Sequence, residues 1–206
     1  MQIHPYYFSP QKRTFDFATA LLLLVLLSPV LFILNLIIFI TTGRPILFKQ
    51  RRTGQNGKVF TLLKLRTMTK NAAMLKRKYQ HLNEAPAPMF KIHNDPRFVG
   101  IGKWLARTGL DELPQLWNIL KGEMSFVGPR PLPVPEAEGL PPAWRAWREQ
   151  VKPGVFSQWA FSKEKHHTLK RWQELEEATV VKGGVGEDLK QILLSIKAIL
   201  LSFFNR

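Results

Sequence analysis

The longest apolar segment of the chain lies near its beginning. Residues 17–40 carry no charge, and as one helix these 24 residues would measure roughly 36 Å, enough to cross a hydrocarbon core of about 30 Å. Ser28 and Pro29 stand near its centre, where proline removes a backbone hydrogen bond and bends a helix. Basic residues flank both ends, which favours both ends in the cytoplasm. Two alternatives therefore stay open: a kinked single span, or a re-entrant hairpin in which the Ser28 hydroxyl bonds a carbonyl freed by the proline.

Behind this segment, apolar and polar residues alternate with the period of a strand. Residues 45–50 and 58–67 are predicted to form two short strands joined by a turn at 54–57. Because side chains alternate between the faces of a strand, one face carries Phe60, Leu62, Lys64 and Arg66. Two cations at the end of an apolar face favour a bound anion. The alternative is a pair of long side chains that extend into solvent at the rim of the sheet.

The remaining apolar positions follow helical spacing. Helices are predicted around 71–82 and 99–107, and another begins near Pro114, with its apolar stripe formed by Leu113, Leu116, Trp117 and Leu120. Trp144, Trp147 and Val151 share one helical face and are expected to pack in a core or an interface. Residues 187–204 form an amphipathic helix that packs on the core or lies in the membrane interface. The fold class is α+β and mainly helical.

Composition restricts the classes of partner. The chain of 206 residues suits one domain, or one domain and an anchor, and its 30 Lys and Arg against 15 Asp and Glu give a net charge of +15. Such a charge requires an anionic partner: nucleic acid, anionic lipid or a phosphorylated substrate. Cysteine is absent, which excludes disulfides, thiolate metal sites and a cysteine nucleophile. His166-His167 lack a partner at a metal-ligand spacing and are expected on a solvated surface.

Candidate chemistry is concentrated between residues 107 and 131. Asp111 and Glu112 precede Pro114, a position typical of the first turn of a helix, where acidic residues usually serve as caps. They are nevertheless two of few acids in a basic chain, and Arg130 follows in a frame of Gly and Pro that suits bidentate phosphate binding. Carboxylates beside cations are typical of a divalent metal–phosphate site, and a carboxylate can also attack phosphorus to form an acyl phosphate.

Several short motifs together resemble one family. They are KRTFD at 12–16, SP at 28–29, FTLLKLRTM at 60–68, NDPR at 94–97, LDELPQ at 110–115, GEMSFVGPRP at 122–131 and KPG at 152–154. In this order they resemble the bacterial sugar transferases, the monotopic phosphoglycosyl transferases that begin glycan assembly on a polyprenol carrier. A lone DE pair is a weak signal, whereas the ordered set is highly specific.

The resemblance implies a reaction and its site residues. A phosphosugar passes from a nucleoside-diphosphate sugar, usually a UDP-sugar, to polyprenol phosphate, giving polyprenyl-diphosphate-sugar and a nucleoside monophosphate. By resemblance, Asp111 is the nucleophile that forms a covalent phosphosugar intermediate and contacts Mg²⁺, and Glu112 assists as acid or base. By resemblance, Lys64 and Arg130 bind phosphate and Arg107 lies near the lipid phosphate. Arg66 is also predicted to bind phosphate, because it shares a strand face with Lys64.

The resemblance also implies an organisation. Residues 1–43 form a re-entrant membrane anchor bent at Ser28 and Pro29, and residues 44–206 form a cytoplasmic catalytic domain with a C-terminal amphipathic helix. The predicted active site lies at the membrane face, among a short β-hairpin and interfacial helices, on the cytoplasmic side of the bacterial inner membrane. The expected partners are the sugar donor, polyprenol phosphate and membrane lipids. A homodimer through the interfacial helices is an open alternative.

One stretch departs from the family pattern. After Lys152-Pro153-Gly154 the family usually continues with Thr-Gly and a Trp/Gln-containing stretch that ends near Asn/Ser-Gly-Arg. Residues 155–162 read VFSQWAFS, in which the Thr-Gly pair and the Gly-Arg ending are missing. This keeps two other functions open: a membrane-tethered basic module that binds anionic lipid or nucleotide-sugar without catalysis, and a family member that binds without turnover. No helix-turn-helix, zinc-finger or RNA-binding motif occurs, and we therefore expect no nucleic acid partner.

Overall fold

The computed structural model describes residues 2–92, 94–162 and 168–204, and it is mainly helical with little strand. The helices are α1 Pro10–Leu26, α2 Ser28–Thr42, α3 Ala72–Lys78, α4 Gly102–Thr108, α5 Gln115–Lys121, α6 Val134–Glu138, α7 Pro142–Arg148, α8 Gln158–Phe161, α9 Leu169–Val180 and α10 Val185–Phe204. The strands are β1 Leu47–Thr53, β2 Val59–Leu65, β3 Ser125–Val127 and β4 Gly154–Phe156. His166-His167 lie outside the described residues.

The apolar N-terminal segment forms two helices that meet at an angle. Leu27 separates α1 from α2, and the Ser28 hydroxyl donates to the Val25 carbonyl over 2.8 Å. Pro29 has no N–H to donate to that same carbonyl, so the serine supplies the missing donor. Within the described residues no single helix has both the length and the apolar composition to cross a membrane, whereas α1 and α2 meet these criteria as a pair bent by 61°.

The first helix is attached to the rest of the chain by a buried ionic cluster. The Lys12 ammonium lies 2.9 Å from Asp16 and 2.6 Å from Asp188 of α10, and all three side chains are almost fully buried. The Tyr6 hydroxyl donates to Asp188, and Asp16 accepts a hydrogen bond from the Phe126 backbone N–H. The KRTFD motif therefore joins α1 to α10 and to β3. Because these charges are buried, each would be costly without its partners.

Arg13 attaches the same helix to α5. Its two terminal nitrogens donate to the carbonyl oxygens of Ile119 and Leu120, each over 2.7 Å. These carbonyls belong to the last turn of α5, where the helix leaves its C=O groups without intrahelical donors. A guanidinium at that end also complements the negative end of the helix dipole.

The predicted antiparallel hairpin is confirmed, with small shifts at its ends. β1 pairs with β2 from Leu47–Leu65 to Thr53–Val59. The face predicted to be apolar is buried at Phe60 and Leu62, against α1 and α5. Leu65, expected on the opposite face, is also buried because it packs with α2 and α4 in a second cluster.

A second, parallel pair of strands was not predicted. Ser125 pairs with Gly154 and Val127 with Phe156, which brings the GPRP loop beside the KPG motif. The two backbones approach so closely at Gly128 that a Cβ there would lie 2.5 Å from the Lys152 carbonyl oxygen. Glycine at this position is therefore a requirement of packing.

The helical predictions are confirmed in existence, but one stripe is displaced. Trp144 is buried on α7 as expected, but α7 ends at Arg148, so Val151 is buried outside the helix and does not share its face. The C-terminal amphipathic helix is present as α10. In α5, however, Trp117 is 49% exposed while the polar Gln115 and Asn118 are buried. Polar groups occupy that inner face because Asn118 bonds to the backbone of β2, as described below.

Candidate active site

Asp111 and Glu112 lie in a single 3₁₀ turn, Leu110–Glu112, between α4 and α5. The sequence placed them in the first turn of the following helix, but α5 begins only at Gln115. Gly109, with φ 73°, ends α4 in the left-handed region and turns the chain into the acidic turn. Asp111 is 6% exposed and Glu112 is half-buried, so both carboxylates are shielded from solvent to a different degree.

Lys64 of β2 is the cation nearest to this acidic pair. Its ammonium lies 2.5 Å from a Glu112 oxygen and 3.7 Å from an Asp111 oxygen. The bond to Glu112 is a charge-assisted hydrogen bond, whereas Asp111 receives only the attraction of the charge. The structure thus brings together three residues that the sequence analysis selected, although Lys64 and Asp111 are 47 positions apart in the chain.

The two carboxyl groups have different affinities for a proton. Burial, with the negative charge of Glu112, raises the pKa of Asp111 to about 6 against the opposing effect of Lys64. Burial also acts to raise the pKa of Glu112, but the positive charges of Lys64 and Arg130 outweigh it and lower that pKa to about 2. Asp111 is consequently the more basic carboxylate, and basicity favours a nucleophile when it is ionised.

Arg130 and Arg52 complete a cationic pocket beside the acidic turn. The polar lining consists of Arg52, Lys64, Glu112, Gln115 and Arg130. Three cations face one carboxylate there, and burial with the positive charge of Arg130 lowers the pKa of Arg52 to about 10. Like charges held this close favour an anion between them, and a diphosphate would satisfy the excess of positive charge.

Sequence reasoning missed Arg52. It stands in a long basic run near the apolar segment, where a contact with lipid head groups is the ordinary expectation. The structure directs its guanidinium inward, where it donates to the Pro131 carbonyl oxygen over 2.8 Å. Its long-range contacts with the 131–133 segment distinguish Arg52 from the cations around it in the sequence.

Sequence reasoning also missed Asn118, which joins α5 to the strand that carries Lys64. Its Oδ1 accepts from the Leu63 N–H over 3.1 Å, and its Nδ2 donates to the Thr61 carbonyl oxygen over 2.8 Å. The side chain thereby pairs with the free edge of β2 as a neighbouring strand would. This arrangement holds the backbone beside Lys64 against the helix that follows Asp111 and Glu112.

We expect Asn118→Ala to lower the free energy of unfolding by about 2–4 kcal/mol, because it leaves two backbone groups of β2 without partners. Urea titration followed by tryptophan fluorescence measures the change. Gln173→Ala is the matched control, since within the part of the chain that the structure describes its amide bonds to the Glu177 side chain of the same helix, and its loss should cost less than about 0.5 kcal/mol. An Asn118→Ala protein as stable as the control would contradict this account of the strand edge.

Two predicted phosphate-binding residues lie elsewhere. Arg66 is buried and donates to the carbonyl oxygen and hydroxyl of Thr42 and, over 2.9 Å, to the Gly43 carbonyl oxygen. It therefore caps the end of α2 instead of lining the pocket with Lys64, because α2 leaves its last carbonyls unpaired. Arg107 is exposed in the last turn of α4, and its proximity to a lipid phosphate stays a prediction.

The donor set for a metal is small. Among the described residues no three Asp, Glu or His side chains are grouped so as to hold an ion. Asp111 and Glu112 are nevertheless adjacent carboxylates, and Mg²⁺ commonly takes one or two carboxylates with the remaining ligands from water and substrate phosphates. The residues present therefore fit Mg²⁺ shared with a phosphorylated substrate and do not form a cage made only of protein ligands.

Comparison with known proteins places this site in context. A family model described as bacterial sugar transferase matches residues 7–202. The galactosyl transferase CpsE of Streptococcus agalactiae serotype III is 37% identical over 160 residues, covering 77% of this chain and 35% of the relative. An undecaprenyl-phosphate glucose phosphotransferase of Komagataeibacter xylinus is 39% identical over 150 residues, covering 70% of this chain and 26% of the relative.

A relative of similar length also matches. The uncharacterized sugar transferase EpsL of Bacillus subtilis is 33% identical over 198 residues, covering 93% of this chain and 88% of the relative. In contrast, the chain spans about a third or less of the length of CpsE and of the Komagataeibacter protein. The matches cover so much of this chain that all three include the acidic turn and most of the pocket lining.

Proposed function

The chain belongs to the bacterial sugar transferase family, and on this basis we propose that it transfers a phosphosugar from a nucleoside-diphosphate sugar to polyprenol phosphate. The donor we expect is a UDP-sugar, and the products are polyprenyl-diphosphate-sugar and a nucleoside monophosphate. The observation that carries the proposal is the acidic turn beside its cationic pocket. Asp111 is buried and its pKa is raised, while Glu112 is bound to Lys64. Names of relatives that specify undecaprenyl phosphate support the acceptor.

The first step is an attack by Asp111. A carboxylate oxygen forms a bond to the phosphorus that bears the sugar, and the bond from that phosphorus to the nucleoside monophosphate breaks. The nucleoside monophosphate leaves with the electron pair, and the sugar phosphate remains on Asp111 as an acyl phosphate. Arg130, Arg52 and Lys64 stabilise the negative charge that the phosphate oxygens carry during this displacement.

The second step returns Asp111 to its initial state. An oxygen of polyprenol phosphate forms a bond to the same phosphorus, and the acyl–phosphate bond breaks to release the carboxylate. In the proposal Glu112 assists as a base that accepts a proton at the reacting oxygens, because Lys64 and Arg130 lower its pKa and keep it ionised, while its bond to Lys64 orients it. Asp111, with Glu112, would hold Mg²⁺, which when bound supplies positive charge that neutralises the donor diphosphate.

The exposed surface of the helices supports a location of the site at the membrane, as part of the proposal. The bent α1–α2 pair exposes many large apolar side chains, among them Leu22, Val25, Leu26, Phe32, Ile33 and Ile40. Leu193 and Leu200 of α10 are also exposed. Apolar surface of this extent is typical of a contact with membrane or protein, and the basic flanks favour the cytoplasmic leaflet. In the proposal, α1 and α2 therefore enter the inner membrane from the cytoplasm and return, which brings the pocket to the lipid acceptor.

The experiment that tests the proposal is an assay of nucleoside monophosphate release. Purified protein in nanodiscs is supplied with Mg²⁺, a short polyprenol phosphate and each of a panel of UDP-sugars. We expect release with one or a few donors, with repeated turnover only when polyprenol phosphate is present. No release with any donor from folded protein would overturn the transfer reaction. Salt-sensitive binding to anionic lipid without turnover would then favour the non-catalytic module.

Removal of the divalent metal gives a separate prediction. We expect EDTA to lower the release rate by about 10²-fold or more, because Asp111 and Glu112 offset much of the charge of the pocket cations once both are ionised, which leaves part of the diphosphate charge without compensation. Excess Mg²⁺ should restore the rate, while thermal unfolding in EDTA should be unchanged, which separates a loss of chemistry from a loss of fold. A full rate in EDTA would contradict the metal requirement.

A further inference from the structure

Glu176 of α9 is a buried acceptor at the centre of a hydrogen-bond network behind the pocket. Its side chain is fully buried, and its oxygens accept hydrogen bonds from Arg148 Nε over 3.0 Å and from an Arg148 terminal nitrogen over 2.8 Å. The Trp172 indole N–H donates to it over 3.1 Å, as does the backbone N–H of Arg130. A carboxylate with this many donors is well compensated, and its position is fixed by all of them.

The same network holds the backbone of Arg130 from both sides. The Arg130 N–H donates to Glu176, and the Arg130 carbonyl oxygen accepts from Arg148 over 2.5 Å. Pro129 and Pro131 on either side restrict the backbone further. The position of the Cα of Arg130 is therefore set by a buried ion pair that itself does not line the pocket beside the acidic turn.

The side chain of Arg130 is held by an aromatic ring. Its guanidinium carbon lies 4.8 Å from the ring centroid of Trp159, in the geometry of a cation–π contact. Trp159 stacks in turn on Trp172, with centroids 4.6 Å apart and an angle of 29° between the planes. Since the Trp172 indole bonds Glu176, both the backbone and the guanidinium of Arg130 are connected to one carboxylate.

Trp159 lies in the stretch that departs from the family pattern. A tryptophan near a nucleotide site suggests a platform for the base, but Trp159 is only 7% exposed and is packed in the core with Trp144 and Trp172. Its ring is therefore committed to the interior. What it presents to the pocket is a fixed support under Arg130, whose long side chain would otherwise sample many rotamers.

We propose that Trp159 is a positioning residue that fixes the Arg130 guanidinium for the diphosphate of the donor. The inference rests on the proposed function in one respect, since it takes a diphosphate as the ligand of the pocket. Trp159 itself need not touch the substrate. Its effect on binding passes through Arg130, and the altered 155–162 stretch retains donor binding by supplying this support.

The test uses inorganic pyrophosphate as the probe, with Mg²⁺, in isothermal titration calorimetry of the full chain in detergent. We expect Trp159→Leu to weaken binding by about 3- to 30-fold, the range of a cation–π contact. Trp159→Phe, which keeps an aromatic face, should retain most of the affinity. In an Arg130→Ala background, adding Trp159→Leu should change the affinity less than about twofold, because the group through which Trp159 acts is gone.

Trp144→Leu is the matched control. Trp144 lies in the same core cluster and is 2% exposed. Its substitution should lower the thermal midpoint as Trp159→Leu does, while pyrophosphate affinity stays near that of the unchanged protein. Equal losses of affinity in both variants would overturn the proposal, since they would indicate a general loosening of the core. So would an equal effect of Trp159→Leu with and without Arg130.

Failure of this inference is distinguishable from failure of the proposed function. If the unchanged protein releases nucleoside monophosphate and Trp159→Leu keeps full pyrophosphate affinity, only the positioning role is overturned. If the unchanged protein neither binds pyrophosphate nor turns over any donor, the diphosphate pocket is overturned, and the positioning role with it. A higher donor KM at nearly constant kcat in Trp159→Leu would support positioning of the donor before reaction.

Discussion

Replacing Asp111 with asparagine is expected to lower the rate of nucleoside monophosphate release by at least about 10³-fold, because the amide cannot form the covalent phosphosugar. The substitution preserves the size of the side chain and leaves Lys64 bound to Glu112. Binding of inorganic pyrophosphate should therefore persist while turnover is lost. The measurement is the initial rate of release from the donor that the unchanged protein prefers.

Glu112→Gln separates the two carboxylates. We expect it to slow release by about 10²- to 10⁴-fold, as for loss of a base, and this range overlaps with the loss in Asp111→Asn. The covalent intermediate distinguishes them. With donor but no acceptor, intact-mass spectrometry should find a phosphosugar adduct on the unchanged protein and, formed more slowly, on Glu112→Gln, whereas Asp111→Asn should show none.

Two outcomes would contradict the assignment of Asp111. One is an adduct whose peptide maps to Glu112. The other is turnover in Asp111→Asn within about tenfold of the unchanged protein, since loss of a nucleophile is far more costly. Glu174→Gln is the control for a generic loss of acidic charge, because Glu174 is exposed and, among the described residues, pairs with Arg171 of its own helix over 3.0 Å. Its rate should not change.

The largest effect on stability is expected from Lys12→Met. The ammonium of Lys12 is shared by Asp16 and Asp188, both of which are nearly inaccessible to water. Its removal leaves two buried carboxylates without their counter-charge, which we expect to cost about 3–5 kcal/mol of the free energy of unfolding. The cost arises from the stranded charges, because a methionine fills much of the same volume.

Urea titration of the detergent-solubilised protein measures this change, with Lys190→Met as the control on the exposed side of α10. Lys190 is exposed and pairs with Glu187 at 3.8 Å, so its loss should cost less than about 1 kcal/mol. Adding Asp188→Asn to Lys12→Met should recover part of the stability, since one stranded charge is removed. A Lys12→Met protein as stable as Lys190→Met would contradict the role of the cluster in holding α1 to α10.

Local patterns predicted the local parts of the fold. The β-hairpin follows from alternation across a glycine-containing turn, and its strands are neighbours in sequence. The amphipathic helix α10 and the buried position of Trp144 on α7 follow from helical spacing. The break between α1 and α2 lies where a proline interrupts the apolar segment. Each of these features depends on contacts between residues close together in the chain.

Features that depend on distant partners were not predictable in the same way. The pairing of β3 with β4 joins three-residue strands too short for any periodicity. Asn118 interrupts the apolar pattern of α5, and only the presence of the β2 edge explains its burial. Arg66 has the strand parity of Lys64, yet it is drawn to the carbonyls at the end of α2. The alternation of side chains along a strand predicts which face a residue lies on, but it does not predict which element packs against that face.

The sequence by itself determined the kind of chemistry: an acidic pair, an apolar segment and the ordered motifs of a family, which already pointed to Lys64 and Arg130. The tertiary structure decided which of the other cations lie beside the acidic pair. It added Arg52 from the 30 basic residues and assigned Arg66 and Arg148 to structural partners. The physical reason is that charge interactions fall off with distance and depend on burial, and both are set by packing between segments far apart in the chain.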